Sequence, residues 1–142
     1  MDYSKMNWVA YSIIGAISLS CMILIYKKLL LLGINQLLLN LFIFGFVFIG
    51  FGIFVYATKT PIRLSPLMIF LLVIASVFSL IGNYFHVKAY NEAPNPGYAH
   101  ALSSTAIILV MVLSVLLYGS NFTWLKFFGI ITIILGSYLV SI

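Results

Sequence analysis

Long uncharged stretches constrain this chain more than any other feature of its sequence. The segment from Tyr98 to Tyr118 contains no Asp, Glu, Lys or Arg, and Asn95, Pro96 and Gly97 interrupt the chain just before it. A helix of about 20 such residues crosses a hydrocarbon layer about 30 Å thick. The segment is therefore predicted to be a membrane span.

A second apolar run follows after the short turn 120–123 and extends from residue 124 to residue 142. Backbone polar groups inside lipid are satisfied only within each helix. Two spans joined by so short a turn must therefore lie antiparallel and side by side. The sequence thus predicts a helical hairpin over this part of the chain.

The composition places the whole chain among integral membrane proteins. Apolar residues make up 64% of it and charged residues 6%, against about 45–50% and about 25% in soluble domains. We expect an all-α membrane protein with a single transmembrane domain over residues 1–142, a bundle of five transmembrane helices. The predicted spans are 8–26, 36–57, 67–87, 98–118 and 124–142.

An odd number of spans places the two termini on opposite sides of the membrane. The distribution of Lys and Arg does not predict an orientation, because the two sides of the membrane would carry nearly equal numbers of these residues. One side holds Lys5, Lys59, Arg63 and Lys126, and the other holds Lys27, Lys28 and Lys88. Either other features select one orientation, or both orientations occur.

Several short motifs resemble the EamA-like repeat of the drug/metabolite transporter superfamily. They are the Tyr84–Tyr90 end of span three, Ala93-Pro94, Leu116-Leu117-Tyr118-Gly119, the segment Thr123–Lys126 followed by Phe128-Gly129 and Gly136, and Lys27-Lys28 followed by Leu32-Gly33-Ile34-Asn35. The chain departs from the family pattern at Ser120, where an acidic residue is frequent, and at Ser104-Thr105-Ala106, where a proline is frequent.

The resemblance implies one five-helix repeat that pairs with a second one. Ten-helix relatives relate two such halves by inverted symmetry and bind substrate near the membrane midplane between them. A homodimer, which the balanced charges allow to be antiparallel, or a second half-repeat protein would supply the other half here. Gly129, Thr132 and Gly136 lie on one face of span five and are the predicted interface, since small residues let helices approach closely. Alternatively, the glycines pack within one subunit.

Polar residues inside the spans are the candidates for a substrate cavity, because they are expensive in lipid and tend to face a cavity or a partner. Span three carries the longest polar stripe, at steps of three and four residues that fall on one helix face. The predicted cavity residues are Tyr11, Ser79, Asn83, His86, Tyr90, His100 and Ser104. The alternatives are serines that only bond their own helix and histidines that sit at the interface.

Asp2 and Glu92 are the only carboxylates, and neither is predicted to lie within a span. Small drug exporters of the resembled superfamily use an intramembrane glutamate in the first span to exchange protons for cations, so the resemblance does not extend to that mechanism here. A cavity without carboxylates suits neutral, zwitterionic or anionic metabolites or amphipathic small molecules. Transport by alternating access as a dimer is the expected function, and passive facilitation is equally compatible with a cavity that has no carboxylate.

A non-transporting membrane subunit, or a subunit of a lipid-carrier flippase that pairs with another membrane protein, stays open as the alternative. No enzyme and no cofactor are expected, since no nucleophile–base–acid set or phosphate-binding loop is present. No metal site is expected either, because His86 and His100 lack a third ligand and Glu92 is predicted to lie in a loop. The basic residues flank spans and predict contact with lipid head groups rather than nucleic acid. A prokaryotic plasma membrane fits a single repeat best.

Overall fold

The computed structural model describes the backbone of residues 3–141 and the side chains of residues 8–140, and it is helical with no strand over that part of the chain. Ile142, the predicted end of span five, lies outside the described residues, as does Asp2. The helices are α1 (Tyr3–Leu31), α2 (Gln36–Ala57), α3 (Pro66–Glu92), α4 (Pro96–Ser103), α5 (Ala106–Tyr118) and α6 (Trp124–Ser141).

Four segments of the described chain are long and apolar enough to cross a membrane. They are Trp8–Leu31, Gln36–Ala57, Pro66–Glu92 and Pro96–Tyr118, and a shorter apolar helix covers Trp124–Val140. The predicted class, an all-α membrane protein, is confirmed by these helices. These four spans are identified by their length and composition alone. A fifth crossing, and the location of the two termini on opposite sides of the membrane, stay predictions.

Residues with strong local preferences set the helix boundaries. Asn35 caps α2, with its Oδ1 accepting a hydrogen bond of 2.8 Å from the Leu37 amide. Asn95 caps α4 in the same way through the Gly97 amide, also at 2.8 Å. Gly119 ends α5 in the left-handed conformation, at φ 61°. Asparagine is a preferred N-cap and glycine a preferred helix terminator for these geometric reasons.

Two helices extend beyond the predicted spans. Helix α1 continues through Lys27 and Lys28 to Leu31, and α3 continues to Glu92. The prediction that Glu92 lies in a loop is wrong. A charged residue does not end a helix by itself, whereas Pro94 restricts the backbone just before it and closes α3.

Span four is broken near its first third, where a continuous helix was expected. Helix α4 ends at Ser103, helix α5 begins at Ala106, and a turn of two residues separates them. Within it the Thr105 amide bonds the Leu102 carbonyl at 3.1 Å, and the Ile107 amide bonds the Ser104 carbonyl at 3.1 Å. These tighter bonds, spanning three residues instead of four, replace the α-helical pattern locally, within a predicted span that as a whole is long and apolar enough to cross a membrane.

The described chain separates into two units at the Asn91–Glu92 boundary. In the first unit the buried side chains gather where the end of α1, the start of α2 and the end of α3 meet. We call this the packed end; it consists of Ile23, Tyr26, Leu30, Leu39, Val87 and Tyr90. The Lys27 Nζ donates to the carbonyl oxygens of Tyr90 at 3.1 Å and Asn91 at 3.0 Å. A lysine in this place donates to carbonyls in the last turn of α3, where a cation is favoured.

The second unit is built on the contact between α4 and α6. Ala99 on α4 and Ser137 on α6 are its buried residues among those described. The Ser137 hydroxyl donates to the Ile133 carbonyl at 2.9 Å, which satisfies it within its own helix. The start of span four and the end of span five therefore lie at the same end of this unit, as an antiparallel hairpin requires.

Candidate functional site

A cleft of about 730 Å³ lies between α2 and α3 in the first unit. Its volume falls within the range of about 300–1,000 Å³ that is typical of small-molecule sites. Helix α2 contributes Leu37, Asn40, Leu41, Phe44 and Gly45, and helix α3 contributes Leu72, Ala75, Ser76, Ser79, Leu80, Asn83 and Tyr84. On both helices the lining positions recur at steps of three and four residues, so each helix presents one face to the cleft.

The cleft is mostly apolar and its described lining contains no Asp, Glu, Lys, Arg or His. Its polar atoms come from two asparagines, two serines and the hydroxyl of Tyr84. A ligand with a large apolar part can therefore bury that part against leucine and phenylalanine, while few polar groups fix its orientation. A charged ligand would find no opposite charge among these residues.

Asn83 and Ser79 form the polar centre on the α3 side. The Asn83 Nδ2 donates to the Ser79 carbonyl at 2.8 Å and to the Ser79 Oγ at 3.2 Å. The Ser76 hydroxyl donates to the Leu72 carbonyl at 2.8 Å, so its single hydrogen is already used. Asn83 and Ser79 were both predicted from the polar stripe of span three, and the structure places them together in the cleft.

Asn40 is the polar residue on the α2 side, and it is not among the cavity residues predicted from the sequence. Its Nδ2 donates to the Gln36 carbonyl at 3.2 Å. Its Oδ1 is buried and has no hydrogen-bond partner among the described residues. A lone asparagine within an apolar span is itself a signal of function, because an unsatisfied amide is expensive there. The prediction concentrated on stripes of several polar residues and missed this single one.

The other predicted residues of the first unit lie away from the cleft lining. Tyr11 is exposed on α1, and His86 is exposed on α3 with its ring centroid 5.9 Å from that of Tyr90. Tyr90 is buried at the packed end. The polar stripe of span three therefore divides, since α3 passes from the cleft into the packed end between Asn83 and Tyr90.

In the second unit, His100 and Ser104 lie at the break in span four and are half-buried. Three consecutive hydroxyls donate to carbonyls of the preceding turn. The bonds run from Ser103 to Ala99 at 2.9 Å, from Ser104 to His100 at 3.2 Å and from Thr105 to Leu102 at 2.8 Å. Such bonds compete with the helical amides for the same carbonyls and bend helices, and three of them in succession coincide with the break, where the chain has no proline.

The predicted interface residues lie on an open face of α6. A Cβ added at Gly129 or Gly136 would meet no described atom within 4 Å. Thr132 is exposed and its hydroxyl donates to the Phe128 carbonyl at 3.0 Å. No close packing within the described chain therefore accounts for either glycine.

Comparison with known proteins identifies the family. Searches among curated proteins and among solved structures found no match to the chain. The model of the EamA-like transporter family matches residues 6–142. The match covers nearly the entire sequence and agrees with the resemblance carried by the motifs around the span ends. Together with the four apolar helices, it establishes an integral, multi-pass membrane protein of a transporter family. The chain belongs to the EamA-like transporter family.

Proposed function

We propose that this protein transports metabolites or amphipathic small molecules across a membrane, and that the α2–α3 cleft is part of the substrate path. The uncharged, largely apolar lining of that cleft is the observation that carries the proposal. It favours neutral or weakly polar substrates over cations, which need a carboxylate or aromatic cage. Zwitterionic and anionic substrates stay within the proposed class, with their charged groups held outside the cleft.

We further propose that five spans operate as a dimer by alternating access. The exposed face of α6 around Gly129 and Gly136 supports close approach of a partner helix. The partner would be a second copy, parallel or antiparallel, or another half-repeat protein. Rocking of one bundle against the other would expose the cleft to each side in turn. A prokaryotic plasma membrane is the proposed location, with the two ends of the five-span region on opposite sides.

The experiment is uptake into proteoliposomes that contain the purified protein, with a panel of labelled neutral, zwitterionic, anionic and cationic metabolites. We expect protein-dependent uptake of neutral compounds with an apolar part. Leu72→Trp places a bulky ring on the cleft wall and narrows the cleft, which should reduce that uptake by about tenfold or more. Leu71→Trp is the matched control, because its neighbouring position on α3 is exposed and does not line the cleft.

Uptake that is unchanged by Leu72→Trp would remove the cleft from the path. Absence of uptake for every compound in the panel would instead favour the alternative function, a membrane subunit or a flippase subunit that acts with another membrane protein. Single cysteines near the two ends, in a Cys21→Ser background, report the topology by labelling with an impermeant reagent. Labelling of both ends, each in a fraction of molecules, is the result expected for an antiparallel dimer.

A further inference from the structure

We propose that the first unit binds an amphipathic molecule from the lipid layer, with its apolar chain along the α2–α3 cleft and its polar head in a second, smaller cavity at one end of that cleft. The inference names a substrate class for the cleft and rests on the proposed function for its physiological meaning. It is carried by the contrast between two adjacent cavities, of which one is apolar and the other polar.

The second cavity has a volume of about 330 Å³ and lies beside the α1–α2 turn. We call it the head pocket; its lining consists of Leu30, Gly33, Ile34, Asn35, Gln36, Leu37, Tyr84 and Asn91. More of its surface is polar than apolar, whereas the surface of the cleft is almost entirely apolar. Three asparagine or glutamine amides and one tyrosine hydroxyl belong to its lining residues. Such groups both donate and accept hydrogen bonds, so they suit a polar head of either kind.

The head pocket and the cleft lie end to end. Leu37 on α2 and Tyr84 on α3 line both of them, so the two spaces come within the width of one side chain of each other. From this level the lining of the cleft continues along α3 to Leu72, and the lining of the head pocket continues in the opposite direction to Asn91. A molecule that occupies both spaces therefore lies along the helices, with one polar end and one apolar end.

The two spaces match one half of a lipid bilayer in length and order. At a rise of about 1.5 Å per residue, the cleft lining from Tyr84 to Leu72 extends about 18 Å along α3. Half of a hydrocarbon layer about 30 Å thick is about 15 Å. Gln36 begins α2 and Asn91 lies in the last turn of α3, so the head pocket is at the ends of two apolar spans, where lipid head groups lie.

The cleft is open to hydrocarbon along its length. Leu41, Leu72 and Leu80 line it and are each more than half exposed. A chain that lies in the surrounding lipid can enter sideways, without moving its polar head through the hydrocarbon layer. Lipid chains are as apolar as leucine, so the chain alone gains little by entering. The hydrogen bonds of the head therefore set the preference for this site over the surrounding lipid.

The test is quenching of tryptophan fluorescence in nanodiscs by probes with a dibrominated acyl chain. A single tryptophan is placed in the cleft by Phe44→Trp, in a background of Trp8→Phe and Trp124→Phe. The probes are the monoacylglycerol and the methyl ester of one dibrominated fatty acid, which share the chain and differ in the two hydroxyls of the head. We expect the monoacylglycerol to quench Phe44→Trp at a mole fraction about fivefold lower than the methyl ester does.

Phe46→Trp in the same background is the matched control. Phe46 is exposed, lies outside the cleft lining, and differs in depth from Phe44 by only about 3 Å along α2. Both probes reach it as ordinary lipid, so it should be quenched at equal mole fractions of the two. The control thus separates occupation of the cleft from general contact with the probes.

Variants of the head pocket test the role of the head. Gln36→Leu combined with Asn91→Leu removes two amides and leaves the cleft lining unchanged. It should reduce the fivefold preference to about twofold or less. Asn121→Leu, at an exposed amide that lines neither space, should keep the preference. Tyr84→Phe removes only a hydroxyl from the shared lining and should lower the preference if the double variant does not insert.

Three results would overturn the inference. The first is equal quenching of Phe44→Trp and Phe46→Trp by the monoacylglycerol at every mole fraction. The second is a preference for the monoacylglycerol that survives every change in the head pocket. The third is weaker quenching at Phe44→Trp than at Phe46→Trp by both probes, because a helix of a second copy would then cover the cleft in place of a lipid.

Transport is measured separately in proteoliposomes made from the same preparations, with the panel of metabolites. Uptake of panel compounds without a preference for the monoacylglycerol in the cleft overturns only this inference. Preferential quenching by the monoacylglycerol, without protein-dependent uptake of any compound, supports the binding site and overturns the proposed transport function.

Discussion

In the first unit, Asn40 and Asn83 each donate one hydrogen bond to a backbone carbonyl of their own helix and line a cleft. In the second unit, Ser103, Ser104 and Thr105 each donate to a carbonyl of the preceding turn, and the helix breaks beside them. The two side chains differ in what is left after this bond: an asparagine retains a second polar atom beside the bound nitrogen, whereas a serine or threonine has a single polar atom, which can afterwards only accept a hydrogen bond. The asparagines thus bring additional polar atoms to the cleft region, and the run of three hydroxyls coincides with a change in the shape of the backbone.

The largest effect is expected from removal of an amide at the cleft. Asn83→Leu should lower uptake by more than about tenfold, because it removes the oxygen and adds an apolar side chain without filling the rest of the cleft. The measurement is initial uptake by proteoliposomes with equal amounts of inserted protein. Ser18→Leu is the control, since Ser18 is exposed on α1 and bonds only the Ile14 carbonyl.

A variant at His86 tests how far the substrate site extends along α3. It lies on the predicted polar stripe but outside the cleft lining. His86→Leu is therefore expected to change uptake by less than about threefold, below the effect of Asn83→Leu. A loss as large as that of Asn83→Leu would extend the site beyond the cleft and restore the full stripe of span three.

A second large effect is expected at the open face of α6. Gly136→Leu should weaken the dimer by about tenfold, because the leucine keeps the partner backbone away. Folding should be retained, since the added Cβ meets no described atom within 4 Å. The measurement is particle mass in detergent across a dilution series. Gly52→Leu on α2 is the control, because its added Cβ also meets open space. Dissociation by the control alone would move the interface to α2.

The packed end should respond to loss of its lysine. Lys27→Met removes the donor to the last carbonyls of α3, and we expect a loss of about 2 kcal/mol of stability. Thermal unfolding in detergent measures it. Lys28→Met is the control, as Lys28 is exposed whereas Lys27 is half-buried. Equal destabilisation by both variants would mean that lysine charge at the span end matters more than the bond between helices.

The smallest effect is expected at the break in span four. Ser104→Ala should change uptake by about twofold or less, because the hydroxyl hydrogen is already bound to the His100 carbonyl. Replacement of Ser103, Ser104 and Thr105 together by alanine should straighten the span. Spin labels at Tyr98→Cys and Leu109→Cys would then report a changed distance. A large loss of uptake from Ser104→Ala alone would contradict the contrast between amides and hydroxyls.

Part of the site was accessible from the sequence. The stripe of span three contains Ser79 and Asn83, because residues three and four apart share a face wherever the helix lies. The same rule could not show that the stripe divides before Tyr90, which depends on where α1 and α2 cover α3. Asn40 was not predicted because it lines a cleft only where α3 lies opposite α2, and that pairing is not visible in the sequence of α2. The break in span four was missed because the hydroxyl bonds that compete with the helix are visible only in the backbone geometry.

The sequence by itself determined the membrane class, the positions of most helices, and the turns at Asn35, Asn95 and Gly119. These properties depend on apolar content and on local backbone preferences, which need no information about neighbouring helices. Only the tertiary structure decided which faces meet, where Lys27 bonds α3, and which polar atoms reach a common cleft. Those outcomes depend on which helices pack together although they are distant in sequence. The faces of apolar helices are chemically similar, so the sequence alone does not select the pair of faces that pack.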